Sequence, residues 1–312
     1  MARNERDFPL LSRLWLYQKE RFPVFKHGLL IAAFSSSAVC LSALLRNQTT
    51  FPEIEAFILS FFVLFTLFFQ LRVADEFKDA QEDAKFRPER AVPRGLVSLK
   101  ELAAAGILAG IAQLSAVLAY FPALVLILLT VWVYMALMSA EFFVPAWLKS
   151  RPFLYMVSHM FIMPLIDLFA TACDWLVQVN HAPDGLIWFL IVSFFNGAII
   201  EIGRKTWAPS MERQGVESYS SSWGLKKSLI VWGCAILASF GCAVAVSIQI
   251  NFLLPAVSVL LLMMLWMAIT AAQFLKTKDE TQAKALENVS GLWVFCIYLF
   301  LGIIPMGVKV WL

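Results

Sequence analysis

Residues 71–98 read LRVADEFKDAQEDAKFRPERAVPRGLVS, directly after an apolar run of membrane-spanning length. Asp75, Asp79 and Asp83 fall four residues apart. If the preceding helix continues, this spacing places all three carboxylates on one face. Like charges so arranged repel by roughly 0.2–0.5 kcal/mol per pair, so a positive partner is expected opposite them. Oxygen-only ligands suit a hard ion such as Mg2+, which takes one or two carboxylates and completes its shell with substrate phosphates. The segment then turns basic, through Lys85, Arg87, Arg90 and Arg94, and the arginine fork matches phosphate oxygens. Acids for a metal followed by bases for a phosphate point to a diphosphate site at a membrane edge. The competing account is a solvated juxtamembrane helix of mixed charge, with Lys78 neutralising part of the aspartate row.

The rest of the composition agrees with a membrane setting. Of 312 residues, 60% are apolar and only 15% charged, which excludes an ordinary soluble domain. The five cysteines lie in or beside apolar runs without metal spacing, so buried packing is expected and no disulfide framework. The three histidines are scattered and form no zinc motif, and there is no glycine-rich phosphate loop. No nucleic-acid partner is expected.

Residues 1–26 mix Leu10, Leu11, Leu14, Trp15 and Tyr17 with Arg13, Lys19 and Arg21. This suits a basic helix lying at the bilayer surface rather than a removable signal peptide. Apolar runs of about 20 residues then recur near 27–45, 52–71, 99–119, 121–140, 152–173, 185–202, 227–248, 252–273 and 291–310. The expectation is an all-α chain with nine transmembrane helices in a single unit, 27–312. Lys and Arg test the count. The N-terminal arm and every second connection hold 23 of them, and the remaining connections with the C-terminus hold only Arg46 and Lys309. Strict alternation supports nine spans with the N-terminus and the charged connections cytoplasmic.

The second long connection, 203–226, again follows an acid at a helix end. Glu201 is followed by Arg204 and Lys205, then Glu212, Glu217 and Tyr219. Tyr219 and the serines after it either bind a phosphate or begin the seventh span. Within the spans polar residues are few. Asp167 is costly at bilayer depth, about 2.5–3.5 kcal/mol on insertion scales, and either lines a cavity or is hydrogen-bonded in packing. Gly106 and Gly110 form a GxxxG suited to close helix approach.

This combination resembles the UbiA superfamily of intramembrane prenyltransferases, which places acidic motifs after its second and sixth helices. Asp75, Asp79 and Asp83 match the first motif, with Asp75 where the family usually has Asn. Arg90, Pro93 and Gly95 look like its basic turn, with Ala91 in place of a proline. Lys149-Ser150-Arg151 looks like the basic loop between helices four and five. The second motif departs from the family's aspartate-rich pattern, since no aspartate occurs from 185 to 278. Either glutamates take over there, or Arg204 and Lys205 supply part of the charge.

The resemblance implies nine helices around a central apolar cavity, capped by the two charged cytoplasmic connections. It implies an isoprenyl diphosphate whose leaving group is gripped by Mg2+ on Asp75, Asp79 and Asp83, with Glu212 and Glu217 as further candidate ligands. Catalytic roles fall to those aspartates with Glu201, Lys205 and Glu217. Diphosphate contacts fall to Arg87, Arg90, Arg94, Lys149, Arg151, Arg204, Lys205 and Tyr219. Transfer to a lipophilic acceptor is expected first. Cyclisation of farnesyl or geranylgeranyl diphosphate by a terpene cyclase is the alternative, and a membrane permease using the acids as an ion site is a third.

Overall fold

The structure, a computed structural model, describes residues 8–311; the first seven residues of the expected surface helix and Leu312 lie outside that range. The described chain is helical, with no strand: α1 Leu10–Arg21, α2 Val24–Leu45, α3 Ile54–Lys78, α4 Ala80–Phe86, α5 Leu99–Tyr120, α6 Leu124–Ser139, α7 Pro145–Lys149, α8 Pro152–Met160, α9 Ile162–Gln178, α10 Leu186–Arg204, α11 Tyr219–Trp223, α12 Leu225–Gln249, α13 Leu253–Thr277, α14 Glu280–Leu301 and α15 Ile303–Trp311.

Among the described residues eight helical segments are long and apolar enough to cross a membrane, counting α8–α9 and α14–α15 as one each. The ninth expected span is α6, whose 16 residues rise roughly 24 Å, short of a bilayer core of about 30 Å. All nine apolar runs are thus helices, eight of them of full length. Two segments are broken by proline. Pro164 and Pro305 lack the N–H that would bond four residues back, and the helices part at Phe161 and Gly302. At Gly302 the chain also runs so close to α2 that a Cβ would stand 2.3 Å from the Ser37 carbonyl oxygen.

The spans close into a ring: α2 packs on α3, α3 on α5, α5 on α6, α6 on α9, α9 on α10, α10 on α12, α12 on α13, α13 on α14, and α14 back on α2. Contacts of α2 with α9 and of α10 with α14 fill the middle. Large side chains such as Phe169, Phe189, Trp293 and Tyr298 are fully buried there. Asp167 belongs to this packing, with Tyr298 donating to its Oδ2. Gly106 and Gly110 lie against Val73 and Gln70 of α3, which fits close helix approach. The cysteines are unpaired, and Cys234 is exposed rather than packed inside.

Helix α1 is docked, not loose. Arg13 pairs with Glu101 at 2.6 Å, Arg21 with Glu76 at 2.5 Å, and Glu20 with Arg94 at 2.7 Å. Tyr17 enters a small second core with Val73, Ala91, Leu96, Val97 and Leu102. Leu10, Leu11 and Trp15 are left exposed.

Candidate active site

The two long connections meet at one end of the bundle. Gly215, at φ +76°, sits so close over Phe86 that any Cβ would come within 2.5 Å of its ring. The Tyr219 amide donates to the Lys205 carbonyl at 2.8 Å and folds residues 206–218 into a closed loop. Glu212 accepts from the hydroxyls of Ser218 and Ser220 at 2.7 Å and holds that loop shut. Between the connections lies a cavity of about 460 Å3. Its upper wall carries Asp75, Asp79, Arg72, Arg87, Arg90, Lys149, Arg204, Lys205, Glu217 and Tyr219. Its floor is apolar, with Leu71, Met138, Met156, Met160, Ile162 and Met163.

The aspartate row does not stay on one face. The helix is interrupted at Asp79, whose φ of −89° and ψ of 0° end α3 and start α4. Asp83 is thereby turned under the basic segment. It is 1% exposed and takes Arg87 and Arg90 at 2.8 Å each. It does not line the cavity, so the expectation of three carboxylates on one metal reduces to Asp75 and Asp79. Three other expected residues also stay out. Arg94 is paired with Glu20, Arg151 stacks over Trp147 at 4.5 Å, and Glu212 is spent on the serines. Each has a local partner that its position in the chain did not announce.

The remaining candidates converge. Glu201 accepts from Arg204 at 2.6 Å and from Lys205 at 2.9 Å, one turn on along α10. The acid at this helix end is therefore an anchor that fixes two cations at the wall. Burial pushes the Tyr219 phenol well up from its ordinary range, so it stays a hydrogen-bond donor. Asp75 pairs with Arg72 at 3.4 Å, and its side chain is half exposed.

The structure adds residues not singled out for the site. Arg21, Lys78, Tyr155, His159 and Trp207 also line the cavity. His159 was noticed only as a polar residue inside a span. Nothing in the spacing of Tyr155 or Arg21 marks them, because they come from elements far away in the chain.

Mg2+ fits the donors present. Asp75 and Asp79 are hard oxygen ligands one helical turn apart on the cavity wall. Among the described residues no three His, Cys, Asp or Glu side chains gather into a ready metal cluster. That suits an ion that uses one or two carboxylates and takes the rest of its shell from water and substrate phosphates.

A sequence model of the UbiA prenyltransferase family matches residues 33–297. The chain belongs to the UbiA prenyltransferase family. Among curated proteins no sequence matches. A solved structure of digeranylgeranylglyceryl phosphate synthase superposes with a TM-score of 0.64, covering 96% of this chain and 100% of its own, at 17% identity. At that identity the likeness is one of fold. As a UbiA-family protein with apolar spans throughout, the chain is a multi-pass integral membrane protein.

Proposed function

We propose that this chain is a Mg2+-dependent intramembrane prenyltransferase, ionising an isoprenyl diphosphate and passing the prenyl group to a lipophilic acceptor of aromatic type. The observation that carries this reading is the single cavity in which Asp75 and Asp79 share a wall with Arg204, Lys205 and Lys149 above a methionine floor. Asp75 and Asp79 would hold Mg2+, which when bound neutralises diphosphate oxygens and draws charge toward the leaving group. Arg87, Arg90, Arg204, Lys205 and Lys149 surround that group with fixed positive charge, and Tyr219 adds a neutral donor. As the allylic C–O bond breaks, its electron pair goes to the diphosphate, where these groups are already oriented to receive it. The apolar floor keeps water from the carbon left behind, and the soft thioethers adapt to its shape. The asymmetry of Lys and Arg supports a cavity mouth facing the cytoplasm.

The second connection leaves Glu217 as its one carboxylate on the wall without an ion pair among those of the described residues. That departure from the family pattern favours, as a second reading, capture of the cation by the substrate's own alkenes, as in a terpene cyclase. One experiment tests both. Purified protein is incubated with Mg2+ and farnesyl or geranylgeranyl diphosphate, with and without aromatic acceptors. Pyrophosphate release that requires an acceptor supports the transferase, and a cyclic hydrocarbon without acceptor supports the cyclase. Absence of turnover with every chain length and acceptor would refute both.

A further inference from the structure

Lys78 ends α3 between two site aspartates, and its ammonium is held on several sides. It donates to the Tyr155 hydroxyl oxygen and to His159 Nε2, the latter at 3.1 Å. The tautomer follows from the other ring nitrogen. His159 Nδ1 lies 2.8 Å from the Tyr155 carbonyl oxygen, which can only accept, so Nδ1 carries the hydrogen and Nε2 offers a lone pair. Because Tyr155 accepts from the ammonium, its own hydroxyl hydrogen remains for another partner. Tyr155 and His159 stack at 4.0 Å, and Phe142 closes the ring edge at 6.2 Å.

Its ion-pair partner among the described residues comes from an unusual turn. Glu141, Phe142 and Phe143 have φ of 47°, 52° and 62°, and none is glycine. Such backbone is disfavoured and persists only where the surroundings fix it, often beside functional groups. Here it places the Glu141 carboxylate, 5% exposed, 3.4 Å from Lys78 and 3.8 Å from Lys149. Neither carboxylate oxygen has an aligned hydrogen bond. One buried acid is therefore shared by two lysines that both line the cavity; Lys149 also meets Glu82 at 3.9 Å, while Glu141 is the ion-pair partner of Lys78 among the described residues.

We propose that Lys78 is a protein-supplied cation of the diphosphate site, aimed by Glu141, His159 and Tyr155. Glu141 is its positioning residue. The inference rests on the diphosphate reading above. Two of the three ammonium hydrogens are engaged by Tyr155 and His159; the third, with the spare Tyr155 hydroxyl, is available to phosphate oxygens.

The test is calorimetric binding of inorganic pyrophosphate and of farnesyl thiodiphosphate to the full chain in nanodiscs, with Mg2+ and with EDTA. Lys78→Met should weaken binding about 10- to 150-fold, the loss of one charge-assisted hydrogen bond, in both conditions, and Lys78→Arg should recover part of it. Glu141→Gln should weaken pyrophosphate binding less than Lys78→Met does while lowering kcat, because the cation is present but no longer aimed. Should Lys78→Met fail to fold, Tyr155→Phe replaces it, and a weakening with EDTA present is expected. Lys78→Met or Tyr155→Phe binding as tightly as wild type would overturn the inference, as would Glu141→Gln lowering the melting temperature with kcat unchanged. Wild-type protein binding neither ligand would instead overturn the diphosphate reading itself.

Discussion

Asp83 and Asp79 are alike in sequence and opposite in placement, so replacing each separates a structural carboxylate from a site carboxylate. Asp83→Asn leaves Arg87 and Arg90 without the acid that each meets at 2.8 Å. Removing one partner of a buried ion pair costs roughly 3–5 kcal/mol. Because the two arginine side chains keep 16% and 24% exposure, water recovers part of that, and about 2–4 kcal/mol is expected. The melting temperature in detergent should then fall by roughly 5 °C or more. The Mg2+ concentration for half-maximal turnover of the surviving folded protein should stay within about threefold, since Asp83 is off the cavity wall. Asp79→Asn should show the reverse. It should melt as wild type, because it ends a helix and is only partly buried, and lose turnover by more than about 100-fold, beyond the 10- to 100-fold typical of residues that merely support a ligand. Paired thermal melts and Mg2+ titrations decide it. If Asp83→Asn melts normally and raises the Mg2+ requirement as Asp79→Asn does, the reasoning from burial and ion pairing is wrong.

Three further outcomes follow from other parts of the molecule. A Cβ on Gly197 would stand 2.9 Å from Met163 Cγ and 3.1 Å from Met160 Sδ, both on floor residues. Gly197→Ala should therefore destabilise by about 1–3 kcal/mol and disfavour the longest substrates, seen as a falling kcat/KM ratio of geranylgeranyl to geranyl diphosphate. Arg46 grips Asp174 at 2.7 Å off the cavity wall, with side chains only 11% and 3% exposed. Arg46→Met should cost about 3–5 kcal/mol in a thermal melt with the Mg2+ dependence of the folded fraction unchanged. Burial raises the Tyr219 phenol above its ordinary value of 10.0, so its contribution to stability is complete below about pH 10 and is lost as pH climbs from there. In Tyr219→Phe, melts above that pH should lose stability less steeply.

The membrane architecture was legible because two independent signals, apolar length and the alternation of Lys and Arg, gave the same segments. Asp75 and Asp79 were legible because both lie on the helical continuation of a span. Asp83 was misplaced by the same extrapolation, carried one turn past a break that has no glycine or proline to announce it. The role of Glu201 was half visible, since Arg204 and Lys205 stand at the third and fourth positions after it, where helical ion pairs form. Lys78 was weighed only as a neutraliser, because its partners Tyr155 and His159 lie 77 and 81 residues away. The turn at 141–143 gave no warning at all, being left-handed backbone built from a glutamate and two phenylalanines. Docking of α1 depends on Glu76, Arg94 and Glu101, whose pairing only the fold supplies.

The central claim is that Asp75 and Asp79 hold a divalent ion against a diphosphate. Electron paramagnetic resonance with Mn2+ in place of Mg2+, on nanodisc protein with inorganic pyrophosphate, measures this directly. The account predicts protein-bound Mn2+ with hyperfine coupling to phosphorus in wild type, and loss of that species in the Asp75→Ala, Asp79→Ala double variant. A signal no different from Mn2+ and pyrophosphate in buffer, or one that survives both substitutions, would contradict it.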